Sequence, residues 1–380
     1  MYDLYKPYEI VMGAYQKMYF KNLDTPRFLS FLSVFLGHVF FSNNADFRNS
    51  TFNYFLNQHL ILGIDFYTIL SGFLISWIIL EEYRFTENFS LSNFWLKRSL
   101  RIWPLYFLLI IIGFLLVWMA RNILGKTVND MPPLSWLLTF TLNFYVIKYG
   151  QGFLFFILFL WSISVEEQFY AVLGVVLKWG KKIFVPFCIL LMGISLVFQF
   201  LSMHHSINLY YNSLSWIGSF AAGGLLAYFC LNKGRVFERM KNIPIWMITF
   251  VYALFILNFA FYDRIYASPI MTSLERLSAI LFFGFVIFEQ TFCEKHLFQL
   301  GKIPFLNYLG KISYGLFCYH GLVIILYEQA THNISWINSA FAVFLINPIA
   351  IFVITVAISM VSYKYFEKPI MSLRLKYQPT

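Results

Sequence analysis

Charge is scarce in this chain. Asp, Glu, Lys and Arg make up 12% of its 380 residues, about half the share of an ordinary soluble domain. That excludes a water-covered globule of this size. Mean hydropathy is +0.67 and 59% of residues are hydrophobic, in recurrent stretches rather than one. The reading is an all-α polytopic protein whose solvent is the lipid bilayer. Acidic residues are the scarcer sign, 18 against 28 Lys and Arg, giving a net charge of +10. Basic loops orient membrane helices, so the surplus implies no nucleic-acid partner. Cysteine is also sparse. Cys188, Cys230, Cys293 and Cys318 are scattered without ligand spacing, which reads as buried thiols and no metal site.

Residues 1–26 lack an apolar core before a small-residue cleavage site, so no cleavable signal peptide is expected. Their Tyr and Lys content reads as a cytoplasmic or interfacial segment. No fixed-period repeat or low-complexity linker interrupts residues 27–372, which read as one membrane domain, with 373–380 as a cytoplasmic tail.

Apolar windows fall near 28–42, 60–80, 102–120, 134–147, 153–177, 183–202, 211–231, 243–262, 270–292, 305–327 and 337–362. The window 134–147 is short and holds Asn143, with Lys148 beside it. Loop charge arbitrates. If 134–147 does not span, Lys97, Arg98, Arg101, Lys178, Lys181, Lys182, Lys233 and Arg235 share one side with Lys364 and Lys368. Arg48, Arg121, Lys126, Lys148 and Arg264 then fall on the other. If it spans, Lys178, Lys181 and Lys182 change sides and every later loop flips. The positive-inside rule therefore predicts about ten spans, both termini cytoplasmic, and a re-entrant or interfacial piece near 134–147.

This topology ranks polar residues by depth. Pro26 and Arg27 mark a helix start. His38 follows eleven residues after Arg27, roughly 16 Å along a helix. That is near the middle of a hydrocarbon core about 30 Å thick. Glu166 and Glu167 are expected at the same level, with Asp65 and His320 further toward the outer face and Glu275 and Arg276 at its edge. Charges at such depth are costly and mark functional paths by default. The bland reading is that they pair inside the bundle, Glu275 with Arg276 or Asp65 with a tyrosine hydroxyl. Adjacent glutamates point about 100° apart on a helix, so both cannot face one partner. Arg98 and Arg101 share a helix face at i, i+3, and their guanidinium forks suit phosphate oxygens. They also fit an ordinary topology signal.

Six blocks in order resemble the acyltransferase 3 group of membrane O-acyltransferases. They are Asp24-x-x-Arg27 with His38, the stretch Gly63 to Ile75, and Arg98-Ser-Leu-Arg101-Ile-Trp-Pro104. Then come Trp161-Ser-Ile-Ser-Val-Glu-Glu-Gln-Phe-Tyr170, Leu309 to His320, and Ser362 to Pro369. The likeness covers about 23 to 372. Departures are small: Phe28 follows Arg27 where the group often has glycine, and the amino-terminal extension is long. No hydrolase-like domain follows the last helix, which implies a stand-alone membrane enzyme.

The resemblance implies acyl transfer, most simply acetyl, from cytoplasmic acyl-CoA to a hydroxyl of an extracytoplasmic or lipid-linked glycan. The setting is a bacterial inner membrane. Acetyl-CoA is a co-substrate there, and no permanently bound cofactor is expected. Arg27, Arg98 and Arg101 would hold the anionic CoA head. His38 would act as general base or briefly carry the acyl group, with Glu166 or Glu167 orienting it. Asp65, Tyr170, Tyr314 and His320 would line the acceptor's path. The alternative is a polytopic transporter or glycan polymerase of the cell envelope. Against it stand the absence of paired Gly/Pro-broken segments and of a large outer loop. The sequence leaves open the acceptor sugar, the acyl group, the choice of glutamate and the oligomeric state.

Overall fold

In hydrocarbon every backbone N–H and C=O must be bonded internally, so apolar runs fold as helices. The computed structural model describes residues 19–40, 50–51, 54, 62–153, 155–202 and 204–373, with helices and no strand among them. The helices that matter here are α1 (Asp24–Val39), α2 (Leu62–Thr86), α3 (Leu91–Asn122), α4 (Leu134–Leu138), α5 (Leu142–Tyr149) and α6 (Phe155–Trp179). They continue as α7 (Phe184–Leu201), α8 (Ser213–Asn232), α9 (Arg235–Lys241) and α10 (Ile245–Ala260). The last are α11 (Pro269–Phe292), α12 (Pro304–Lys311), α13 (Ser313–Thr331) and α14 (Ala342–Ser372). Among the described residues, seven helices are long and apolar enough to cross a membrane, or nine if two bent pairs each count once. The protein is a multi-pass membrane protein.

The expected ten spans meet this count with three differences. Helix α1 has 16 described residues, about 24 Å of rise and short of a full crossing; residues 41–42 of window 28–42 lie outside the described residues. Window 305–327 is not one straight helix, because α12 and α13 meet at a 73° bend. The polar face of α12 explains the break: Thr25 on α1 donates to Asn307 Oδ1 at 2.7 Å, and Gly310 lies against the Asp24 carbonyl. A helix bonded sideways to α1 cannot also continue along the span. Likewise α9 and α10 meet at 86°. Helices α4 and α5, of 5 and 8 residues, rise about 7 and 12 Å. Neither can span, as the loop charges required.

Within residues 19–26 Tyr19 and Lys21 are exposed, whereas Phe20 and Leu23 to Pro26 are buried; 1–18 and 374–380 lie outside the described residues. Phe20 is buried, with ring centroids 5.5 Å from Phe73, 5.0 Å from Trp77 and 6.2 Å from Phe292. Leu23, Asp24 and Thr25 are 0% exposed. The aromatic side of this short stretch packs inward while its Tyr19 and Lys21 face outward.

The core is built on the crossing of α2 and α8. A Cβ on Gly72 would sit 2.0 Å from the Phe220 carbonyl oxygen, and one on Gly223 would sit 2.0 Å from that of Ile69. Small residues let the two backbones touch, which is how helices gain packing energy in lipid. Outer helices turn apolar side chains outward: Ile189, Leu190 and Val197 on α7, and Phe250, Leu254 and Leu257 on α10, are exposed. Such a surface is stable against acyl chains and not against water.

Candidate functional site

The first helix carries one end of the site. Eleven helical steps turn about 1,100°, within 20° of three full turns. Arg27 and His38 therefore share a face, about 16 Å apart, with Phe31 and Val34 between them. That face meets two adjoining cavities. The larger, about 310 Å³, is lined by Gly37 and His38 with Gln151, Phe155, Phe159, Trp161, Tyr210 and Tyr211. The smaller, about 60 Å³, is lined by Ser30, Tyr67, Ser71, Glu166 and Tyr314 among others. Val34, Ile64, Ser162 and Phe317 line both, so the two form one path along α1.

His38 is held by aromatic rings and a second imidazole. Its ring stacks on Phe159 at 4.2 Å and meets Phe155 edge-on at 6.0 Å. Its Nδ1 lies 3.1 Å from Nε2 of His320. Among the described residues no carboxylate bonds to His38. The sequence reading set Glu166 and Glu167 level with His38. In the structure Phe159 packs on His38 and stands seven residues before Glu166, about 10 Å along α6. Counting from basic anchors treated the two helices as parallel and equally seated, and packing places them otherwise.

The glutamates part as their 100° separation requires. Glu166 lines the smaller cavity and accepts from Ser71 Oγ at 2.7 Å and from Tyr170 Oη. Glu167 turns toward α3 and accepts from Trp103 Nε1 at 3.0 Å. Beyond Glu166 lies the basic group. Arg98 sits over the Tyr170 ring at 5.1 Å and senses the charges of Arg101, Glu166 and Glu167. Arg27 pairs with Asp24 at 2.6 Å and lies within electrostatic range of Arg101 and Tyr67. The three arginines of the sequence reading are thus brought together at one end, and Arg101 is exposed there.

The residues expected along an acceptor path scatter. Tyr314 lines the smaller cavity and donates to the Ile102 carbonyl at 2.7 Å. Tyr170 and His320 line neither cavity, and His320 is 0% exposed behind His38. Asp65 pairs across to α11, 3.2 Å from Arg276 Nε. Arg276 also donates to the Ser215 carbonyl at 2.7 Å and lies 3.8 Å over Trp216. A buried pair of this kind ties α2 to α11.

Sequence reasoning missed Tyr67 and Ser71, although Gly63, Tyr67 and Ser71 recur every fourth residue on one face of an apolar helix. It also missed Gln151, Tyr210 and Tyr211, which sit outside the motif blocks; Gln151 Nε2 donates to Tyr211 Oη at 2.8 Å. Glu367 is a further case. A π-turn at Tyr363–Glu367 carries it inward, where Ser362 Oγ donates to it at 2.9 Å and Arg101 lies within electrostatic range. Such turns are frequent at functional sites.

A family profile described as an acyltransferase domain matches residues 20–364. The chain belongs to that acyltransferase family. The O-acetyltransferase OatA of Staphylococcus aureus strain NCTC 8325 is 22% identical over 397 residues, covering 96% of this chain and 59% of its own length. SACOL0978 of strain COL, provisionally named an O-acetyltransferase, is 24% identical over 387 residues, covering 93% and 58%. The chain spans about three-fifths of the length of these curated relatives. No solved structure matches it.

Proposed function

We propose that the protein is an O-acyltransferase of a bacterial plasma membrane. It moves an acyl group, acetyl in the first instance, from cytoplasmic acyl-CoA to a hydroxyl of a glycan on the opposite face. The observation that carries this reading is the pair of adjoining cavities along α1, which sets Glu166, within electrostatic range of Arg98, in line with a cavity lined by His38. Its relatives' names supply the acyl group.

Arg98, Arg101 and Arg27 would bind the anionic head of the donor by paired charge-assisted hydrogen bonds. The thin thioester arm would follow the α1 face past Tyr67 and Ser71 and bring its carbonyl beside His38. An acceptor hydroxyl would enter the larger cavity, where Trp161, Tyr210 and Tyr211 offer aromatic walls and Gln151 a polar edge. His38 would take the hydroxyl proton as the oxygen attacks the thioester carbon. Collapse of the adduct breaks the C–S bond, and the proton passes to the departing thiolate. The cavity's about 310 Å³ sits at the lower end of small-ligand sites, enough for an acyl terminus and one sugar ring.

The test is turnover of labelled acetyl-CoA by the protein in sealed vesicles, wild type against His38→Ala. Wild type should turn over donor, and His38→Ala should lose at least about 100-fold in rate, the scale of a positioned general base, while remaining folded and inserted. Equal rates would remove His38 from the chemistry. No turnover by wild type with any acyl-CoA and surface glycan supplied would favour the transporter reading.

A further inference from the structure

His320 is the group whose role the reaction above leaves unassigned. It lies behind His38, 0% exposed and lining neither cavity, yet two directed contacts define it. Its Nδ1 is 2.6 Å from the Phe317 carbonyl oxygen, and its Nε2 is 3.1 Å from His38 Nδ1. A carbonyl oxygen only accepts, so His320 Nδ1 must carry a proton. Its Nε2 is then a bare lone pair unless the ring is a cation. A cation here would be packed among Phe31, Phe159 and Phe317, at 5.9, 4.6 and 5.6 Å between centroids, with no carboxylate bonded to it among the described residues. That uncompensated burial is prohibitive. The neutral ring therefore accepts, and His38 Nδ1 must donate.

We infer that His320 is a positioning residue that locks His38 in the Nδ1–H tautomer and so presents the His38 Nε2 lone pair to the cavity. The bond does what a carboxylate does behind the imidazole of a hydrolytic triad, with a neutral acceptor in its place. Phe159 lies under both imidazoles, stacked at 4.2 and 4.6 Å, and keeps the two rings within 14° of parallel. The inference rests on the proposed function only for its kinetic consequence; the tautomer itself is independent of it.

Nitrogen NMR of ¹⁵N-histidine-labelled protein in lipid tests the tautomer directly, with His38→Ala identifying the His38 signals. Wild type should show His38 with a protonated Nδ1 and an unprotonated Nε2. His320→Leu should mix the two tautomers. His320→Gln, whose amide oxygen stands near the lost Nε2, should restore the single form. In kinetics, His320→Leu should lower kcat by about 100-fold with donor KM unchanged, the scale of losing a tautomer-fixing partner, and His320→Gln should recover most of that loss. A protonated His38 Nε2 in wild type overturns the inference, even if His320→Leu fails to fold. So does a folded His320→Leu that keeps the wild-type tautomer or kcat. Inactive wild type with the expected NMR spectrum would instead reject the function and leave the tautomer standing.

Discussion

At the scale of single residues, the structure separates two glutamates that the sequence presents as a unit. Glu166 lines the path and collects hydroxyls from Ser71 and Tyr170, whereas Glu167 bonds Trp103 on the side of α3. Removing the Glu166 charge should disturb the path and leave those hydroxyls a weaker acceptor. Glu166→Gln is expected to reduce kcat/KM at least about tenfold more than Glu167→Gln, the scale of one charge-assisted hydrogen bond. Steady-state kinetics of the two variants decides it, and the reverse order would reassign the pair. Arg101 is exposed and within electrostatic range of Arg27 and Arg98. Arg101→Ala should raise the donor Kd about tenfold or more through a lost phosphate contact, with little change in the rate at saturating donor. Equilibrium binding of acetyl-CoA checks this, and unchanged affinity would place the donor head elsewhere.

At the scale of elements, much of what the motif blocks contain is helix packing. The stretch Gly63 to Ile75 provides Tyr67 and Ser71 to the path, but it also contains Gly72, which meets the Phe220 carbonyl. Gly223 answers from α8 against Ile69. A side chain at either point must push two backbones apart, a cost of about 1–3 kcal/mol or more. Gly223→Val should lower the temperature of thermal aggregation in detergent and the folded yield. Gly193→Val, in open space on α7, should leave both near wild type. The same lesson applies to the α12–α13 bend. Hydropathy reads 305–327 as one run because a sum over residues does not register that Thr25 and Asn307 bond sideways to each other.

At the scale of the whole molecule, α4 and α5 are too short to span, and the expected topology has them leave the chain on the side where α3 ends. Lys126 is exposed before them, Lys148 is exposed in the last turn of α5, and Arg235 is exposed at the start of α9. The four native cysteines are buried, so single introduced cysteines report cleanly. In intact cells, Lys126→Cys and Lys148→Cys should both react with a membrane-impermeant maleimide, and Arg235→Cys only after permeabilisation. Labelling of 126 and 148 from opposite sides would restore 134–147 as a span and invert every later helix.

The sequence by itself determined that this chain lives in a bilayer and that it is helical, and it singled out the candidates for proton and anion chemistry. Those properties are sums of transfer free energies and side-chain types along one dimension, and they survive without knowledge of neighbours. It also placed Arg27 and His38 on one face, because eleven residues close three helical turns. Tertiary structure alone decided that His38 meets His320 instead of a glutamate, that Glu166 faces the path, and that Asp65 belongs to Arg276. Each of these depends on how far a helix is rotated and raised against its neighbours. One residue of rotation is 100° and 1.5 Å, a shift too small to alter hydropathy and large enough to exchange every partner.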